Sequence, residues 1–192
     1  MGGRPKGLLL APPEADGSQT SVIARTIAIA RAQCDDVVLV GRAEAYASLG
    51  VRAIEDDAAA RGEGPLAGLA ALLDYANGAS VIAIACDMPY VTAAMLARLA
   101  SYAPDAAAVA PRDDGHWSPL FARYDSSRVA AVAHATLASG ARAMRAVLEV
   151  CDARELPLSP EERAALRDWD APGDIDAAAV SDVIEKTERR IS

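Results

Sequence analysis

Apolar positions along this chain fall into two alternating rhythms, short continuous runs and longer stretches with helical spacing. Ser80 to Cys86 (SVIAIAC) is apolar at every position after Ser80, which predicts a parallel strand covered on both faces. Asp36 to Gly41, Val51 to Glu55, Ala106 to Ala110 and Pro119 to Tyr124 predict four further strands. Between them, Ser21 to Gln33 places Val22, Ile23, Ile27 and Ala30 on one helical face behind a Thr20 or Ser21 cap. Pro65 suits the first position of a helix running to Asn77 and closed by Gly78. Further helices are expected over Glu44–Leu49, Thr92–Tyr102, Ser127–Ala138 and Arg142–Val150. Strands alternating with helices imply a mostly parallel sheet wrapped by helices. With no internal repeat or long linker, 192 residues are expected to form a single domain over 1–192.

Composition narrows the function classes. The chain is 52% hydrophobic but only 4% aromatic, so Ala, Val, Leu and Ile must build the core. A net charge of −8 argues against general binding to nucleic acid or anionic membrane. It leaves room for a phosphate ligand, which a lysine, backbone N–H groups and a divalent cation can hold locally. Cys34, Cys86 and Cys151 are widely spaced, with no Cys-x-x-Cys pattern. A reducing cytoplasm is expected, and the thiols read as small buried side chains without a redox role. Leu8 to Leu10 stops at Pro12-Pro13, short of the roughly 7–15 apolar residues of an export signal. No run approaches the ~18 apolar residues of a membrane span.

In an open parallel sheet, ligands gather beyond the carboxyl ends of the strands. Asp87 follows the most apolar strand directly and is held by Met88-Pro89. A carboxylate there suits Mg²⁺, although by pattern alone it reads equally as the start of a helix. Gly64-Pro65-Leu66-Ala67-Gly68 lets backbone approach a ligand, and the helix it opens would present free N–H groups to an anion or base edge. An ordinary loop-to-helix junction has the same pattern. Asp56 and Asp57 can accept hydrogen bonds from a guanine or serve as solvated turn residues. Gly2, Gly3 and Lys6 in M-G-G-R-P-K resemble a phosphate-facing loop, and equally an irregular terminus.

Together and in order, these segments resemble the molybdenum cofactor guanylyltransferases of the MobA type. M-G-G-R-P-K-G-L-L is similar to the second half of the family loop L-A-G-G-x-S-x-R-M-G-x-x-K, with Lys6 at the family lysine. V-V-L-V-G-R with Tyr46 and Leu49-Gly50, then G-P-L-A-G, C-D-M-P, S-P-L-F-A-R-Y and D-W-D-A-P-G-D-I follow in register to about residue 176. The resemblance implies a Rossmann-like three-layer α/β/α nucleotidyltransferase fold of the nucleotide-diphospho-sugar transferase type. It implies transfer of GMP from GTP to molybdopterin cofactor with release of pyrophosphate. Lys6 and Asp87 would be catalytic, with Lys6 on the phosphates and Mg²⁺ on Asp87. Gly2, Gly3, Lys6, Asp56 (or Asp57), Gly64, Pro65, Leu66 and Asp87 would bind the nucleotide. Transient contact with molybdoenzymes or other cofactor-biosynthesis proteins is also expected.

The sequence departs from the family in places. Gly41 stands where the guanylyltransferases usually carry Asn, and Ser118 replaces a His before Pro-Leu-Phe, with His116 two residues earlier as a substitute. Asp168 and Asp170 occupy the terminal asparagine positions; Asp170 would give a second metal contact or cap the last helix. The family's first strand and the L-A-G-G-x-S-x-R half-loop have no counterpart here. Losing an interior strand forfeits ladder bonds of about 1 kcal/mol each from a domain with only ~5–15 kcal/mol of stability. The preferred expectation is a start upstream with Met1 as the loop's internal methionine; a degenerate relative is the other. CTP or a sugar-phosphate acceptor, or a non-catalytic cofactor-binding protein, are the alternative functions.

Overall fold

The computed structural model describes residues 6–13, 17–41, 44–54 and 64–166. Helix α1 (Val22–Arg31) starts where the Ser21 hydroxyl accepts from the Ala24 N–H, and it buries Val22, Ile23, Ile27 and Ala30. Strand β1 (Val38–Val40) leads through a 3₁₀ turn at Glu44–Leu49 into β2 (Arg52–Ile54), with which it pairs in parallel. Helix α2 (Pro65–Ala76) carries Pro at its start and ends at Asn77 in the left-handed conformation, followed by Gly78. Then come β3 (Ser80–Ile84), α3 (Ala93–Ser101) capped by Thr92, and β4 (Ala108–Ala110). A small hairpin, β5 (Arg112–Asp113) and β6 (His116–Trp117), precedes β7 (Phe121–Asp125). Helices α4 (Ser126–Ala138) and α5 (Arg145–Val150), strand β8 (Arg154–Glu155) and helix α6 (Pro160–Ala165) follow.

The larger sheet has the order β3-β7-β4-β8. Strand β7 is antiparallel to both β3 and β4, and β8 is parallel to β4. Three of its four strands therefore point one way, with β7 reversed among them. Side chains alternate between two cores, as the strand period requires. Ala83, Ala108, Ala110, Ala122 and Tyr124 face Leu66, Leu69, Leu73, Val129, Val147 and Leu148 of α2, α4 and α5. Val109 and Phe121 face Ala30, Met95, Leu96 and Leu99 of α1 and α3. Helices thus cover both faces, giving three layers. The alanines on the α2–α4 face keep that layer close to the sheet, as expected of a core poor in aromatics.

Several sequence expectations shift. Glu44–Leu49 is 3₁₀ with no buried residue, because Ala, Tyr and Ser there offer no continuous apolar stripe. Strand β3 was expected to be covered on both faces. It is the edge of the four-stranded sheet among the described residues, and only Ala83 is fully buried, while Val81, Ile82 and Ile84 are half-buried. Interior strands β4 and β7 are the deeply buried ones. No helix among the described residues is long and apolar enough to cross a membrane.

Candidate functional site

Strands β3 and β4 share a direction, so their carboxyl ends lie on one rim of the sheet. Asp87 stands in the turn just past β3, fixed from behind by buried Met88 and Pro89. Lys6 reaches the same rim from the 3₁₀ turn Lys6–Leu8. That turn is tied down by Leu9 N–H to the Lys6 carbonyl (3.0 Å) and Val22 N–H to the Leu9 carbonyl (2.9 Å). Gly7 is buried, and a Cβ there would lie 3.1 Å from the Tyr46 hydroxyl, 3.2 Å from Ile23 Cβ and 3.4 Å from the Cys86 carbonyl. A methyl there would press on all three neighbours, so glycine suits the close approach of this turn to the end of β3. The outcome is that Lys6 Nζ lies 3.8 Å from Asp87 Oδ2. Both side chains keep some exposure, so the pair contributes only ~0–1 kcal/mol and is readily displaced by a ligand.

Neutral groups back this ion pair. Burial, and then the negative charge of Asp87, push the Cys86 thiol up. Burial first, then Cys86, push the Tyr46 phenol up. Both stay protonated around neutrality, so Asp87 is the one carboxylate among these three groups.

The Gly64–Gly68 segment divides into two parts. Gly64 adopts φ 86°, ψ −176°, and a Cβ there would meet Arg142 Cβ and the Arg142 carbonyl oxygen at 3.3 Å. Gly64 and Pro65 are exposed. Leu66, expected among the nucleotide-binding residues, is instead fully buried against the α4–α5 core. Its side chain is in the core because the helix stripe it begins, Leu66-Leu69-Leu73, is the core-facing one. Nor are the first helical N–H groups free: Leu66 donates to the Arg142 carbonyl (3.2 Å) and Ala67 to the Gly64 carbonyl (3.2 Å). Gly68 serves packing, since a Cβ there would lie 3.2 Å from Val40 of β1. The part of the motif open to a ligand is Gly64 and Pro65.

The family model of the MobA-like NTP transferase domain matches residues 1–155. The chain belongs to the MobA-like NTP transferase family. A molybdenum cofactor guanylyltransferase from Pseudomonas putida is 35% identical over 152 residues, covering 77% of this chain and 75% of that protein. A protein of Bacillus licheniformis named "Probable molybdenum cofactor guanylyltransferase" is 40% identical over 110 residues. That match spans 54% of this chain and about half, 55%, of the Bacillus protein. Among solved structures, molybdopterin-guanine dinucleotide biosynthesis protein A from Archaeoglobus fulgidus superposes with a TM-score of 0.71 at 22% identity, covering 94% and 91% of the two chains. A 2-C-methyl-D-erythritol 4-phosphate cytidylyltransferase from Thermus thermophilus gives 0.67 at 16% identity, covering 92% and 94%. These likenesses establish the three-layer nucleotidyltransferase fold.

In this MobA-like domain, no cluster of three or more His, Cys, Asp or Glu side chains among the described residues is arranged to hold a metal. That donor set does not suit a tightly caged ion. One carboxylate at the rim does suit Mg²⁺, which takes one or two carboxylates and fills its other positions with phosphate oxygens and water. Gly2, Gly3, Asp56, Asp57, Asp168 and Asp170 lie outside the described residues. Gly41 has φ 90° just past β1, where the chain turns and any side chain is strained.

The Pro111–Pro119 loop is a hairpin in the MobA-like domain, turning at Asp114 (φ 46°) and Gly115 (φ 79°). Positive φ at both central residues is the hairpin-turn signature of Asp-Gly. Arg112 stacks over Trp117 at 3.9 Å, stiffening it. His116 is exposed on β6, and Ser118 N–H donates to the Pro111 carbonyl at the base of the hairpin. The following segment enters β7 beside β3, with Ala85 N–H donating to the Leu120 carbonyl (2.9 Å). The Arg142 carbonyl holds the start of α2, and its guanidinium donates to the Leu137 and Ala141 carbonyls.

Proposed function

We propose that this chain is a molybdenum cofactor guanylyltransferase, transferring GMP from GTP to the phosphate of molybdopterin cofactor and releasing pyrophosphate. The observation that carries the reading is the Lys6–Asp87 pair, 3.8 Å apart at the carboxyl end of β3. The identities to proteins bearing that name support it. The acceptor phosphate attacks the α-phosphorus of GTP, the bond to the β-phosphate bridging oxygen breaks, and negative charge develops on the leaving pyrophosphate. No covalent enzyme intermediate is required, so positioning and electrostatics do the work. Lys6, released from Asp87 when the triphosphate arrives, turns its ammonium to the phosphates. Asp87 would hold Mg²⁺, with Asp170 as a proposed second ligand; the ion supplies charge neutralisation at the phosphate oxygens. Gly64 and Pro65 form one wall of the base pocket, with Asp56 or Asp57 reading guanine, and Gly2 and Gly3 offer backbone N–H groups to phosphate.

The three free thiols fit a reducing cytoplasmic setting, and transient contact with molybdoenzymes follows from the product. The reading is tested by supplying molybdopterin, Mg²⁺ and either GTP or CTP labelled at the α-phosphate. Label reaching the pterin from GTP and not from CTP is the expected result. Transfer from CTP alone would overturn the base assignment.

A further inference from the structure

We infer that Tyr46 is a positioning residue that ties the turn bearing Lys6 to the strand end bearing Asp87. Tyr46 lies between β1 and β2, far along the chain from both. Its hydroxyl is packed against Gly7, where a Cβ would sit 3.1 Å from it, and lies close enough to the Cys86 thiol that each raises or lowers the other's proton affinity. Gly7 is the residue after Lys6 and Cys86 the residue before Asp87. The close packing of Gly7 against both the Tyr46 hydroxyl and the Cys86 carbonyl puts all three segments at one point. A hydroxyl can donate and accept at once, so one group can fix both neighbours.

Ordinary packing does not explain the arrangement. The Glu44–Leu49 turn contains no buried residue, and Glu44, Ala45, Ala47 and Ser48 are exposed. Tyr46 is half-buried, and its polar end is directed at the corner where Lys6 and Asp87 meet. Partners one shell removed from a ligating or charged group commonly alter its affinity or activity about 10–100-fold.

The role rests on the proposed function only in naming Lys6 and Asp87 as the working pair, and the test separates the two. Tyr46→Phe keeps the ring and removes only the hydroxyl. With GTP, we expect kcat for pyrophosphate release to fall about tenfold, while KM for GTP and the thermal midpoint stay at wild-type values. In a Lys6→Met background the same substitution should have no further effect, because its influence passes through that pair. The chain's two lysines, Lys6 and Lys186, give an activity-independent readout after reductive ¹³C-methylation. The Lys6 dimethylamine resonance should move in Tyr46→Phe while that of Lys186 stays. Unchanged kcat, an additive loss in the Lys6→Met background, or a lowered thermal midpoint that accounts for the loss would each overturn the role. Should the wild-type chain release no pyrophosphate, the functional reading fails, and an unmoved Lys6 resonance would still overturn the role of Tyr46.

Discussion

Lys6 Nζ stands 3.8 Å from Asp87 Oδ2, joining a turn near the start of the chain to the end of β3. Neither residue is placed by the other in sequence; the meeting is made by buried Gly7 packing on Ile23 and Cys86. Because the pair is partly exposed, it contributes ~0–1 kcal/mol to stability. Lys6→Met should therefore leave the urea unfolding midpoint unchanged while lowering turnover about 10²–10³-fold, the usual size of a lost electrostatic contact to the transition state. Stopped turnover accompanied by unfolding would contradict this.

Gly64→Ala should destabilise the fold. The position needs φ 86°, and the new methyl meets Arg142 at 3.3 Å. Strain of this kind costs about 1–3 kcal/mol. Chemical denaturation measures it, and a variant as stable as wild type would show that the loop relaxes around the side chain.

Arg123 is buried in β7, and its Nη2 donates to the Tyr102 (3.0 Å) and Ala103 (2.6 Å) carbonyls beyond the end of α3. Its cation also sits near the negative end of the α3 dipole. Arg123→Met keeps most of the apolar stem but leaves those carbonyls without their donor, at a cost of about 1–3 kcal/mol. The same denaturation experiment reads it, with no change in KM for GTP expected, since Arg123 lies away from the rim.

Alkaline pH should weaken the fold. Burial raises the Cys86, Cys151 and Tyr124 groups above their ordinary values. A raised acid binds its proton more tightly in the folded state, so its contribution is full below the unfolded value. It is lost as pH rises through the folded value. Stability should thus hold at pH 7 and fall above the ordinary thiol range, about 8.5. Denaturation midpoints at pH 7 and pH 10 test this; equal midpoints would contradict it.

How much was legible in the sequence depends on the length scale of each signal. The continuous run Ser80–Cys86 and the cap at Ser21 announce their elements because many residues, or a cap hydrogen bond, agree. Strands β5, β6 and β8 have two residues each, too short for any periodicity. The reversal of β7 is a matter of long-range pairing that no local pattern records. At the candidate site, motif and strand position single out Lys6 and Asp87, and the fold sets their side chains 3.8 Å apart. Leu66 lies in the motif but turns its side chain into the core, because a motif does not say which way its side chains face. Tyr46 carries a marker, standing just behind V-V-L-V-G-R in the resemblance to the family, but its neighbours are set by folding alone. Of 19 Lys and Arg residues, Lys6 and Lys186 are the two lysines. In a chain that otherwise prefers arginine, a lysine at the loop marks a position where a compact ammonium matters.

The most direct test is Mg²⁺-dependent pyrophosphate release from GTP in the presence of molybdopterin, wild type beside Asp87→Asn. The account predicts turnover by the wild-type chain and a loss of about 10²–10³-fold in the variant, with both equally folded. Undiminished release by Asp87→Asn would place the chemistry elsewhere and contradict the assignment of the Lys6–Asp87 corner as the active centre.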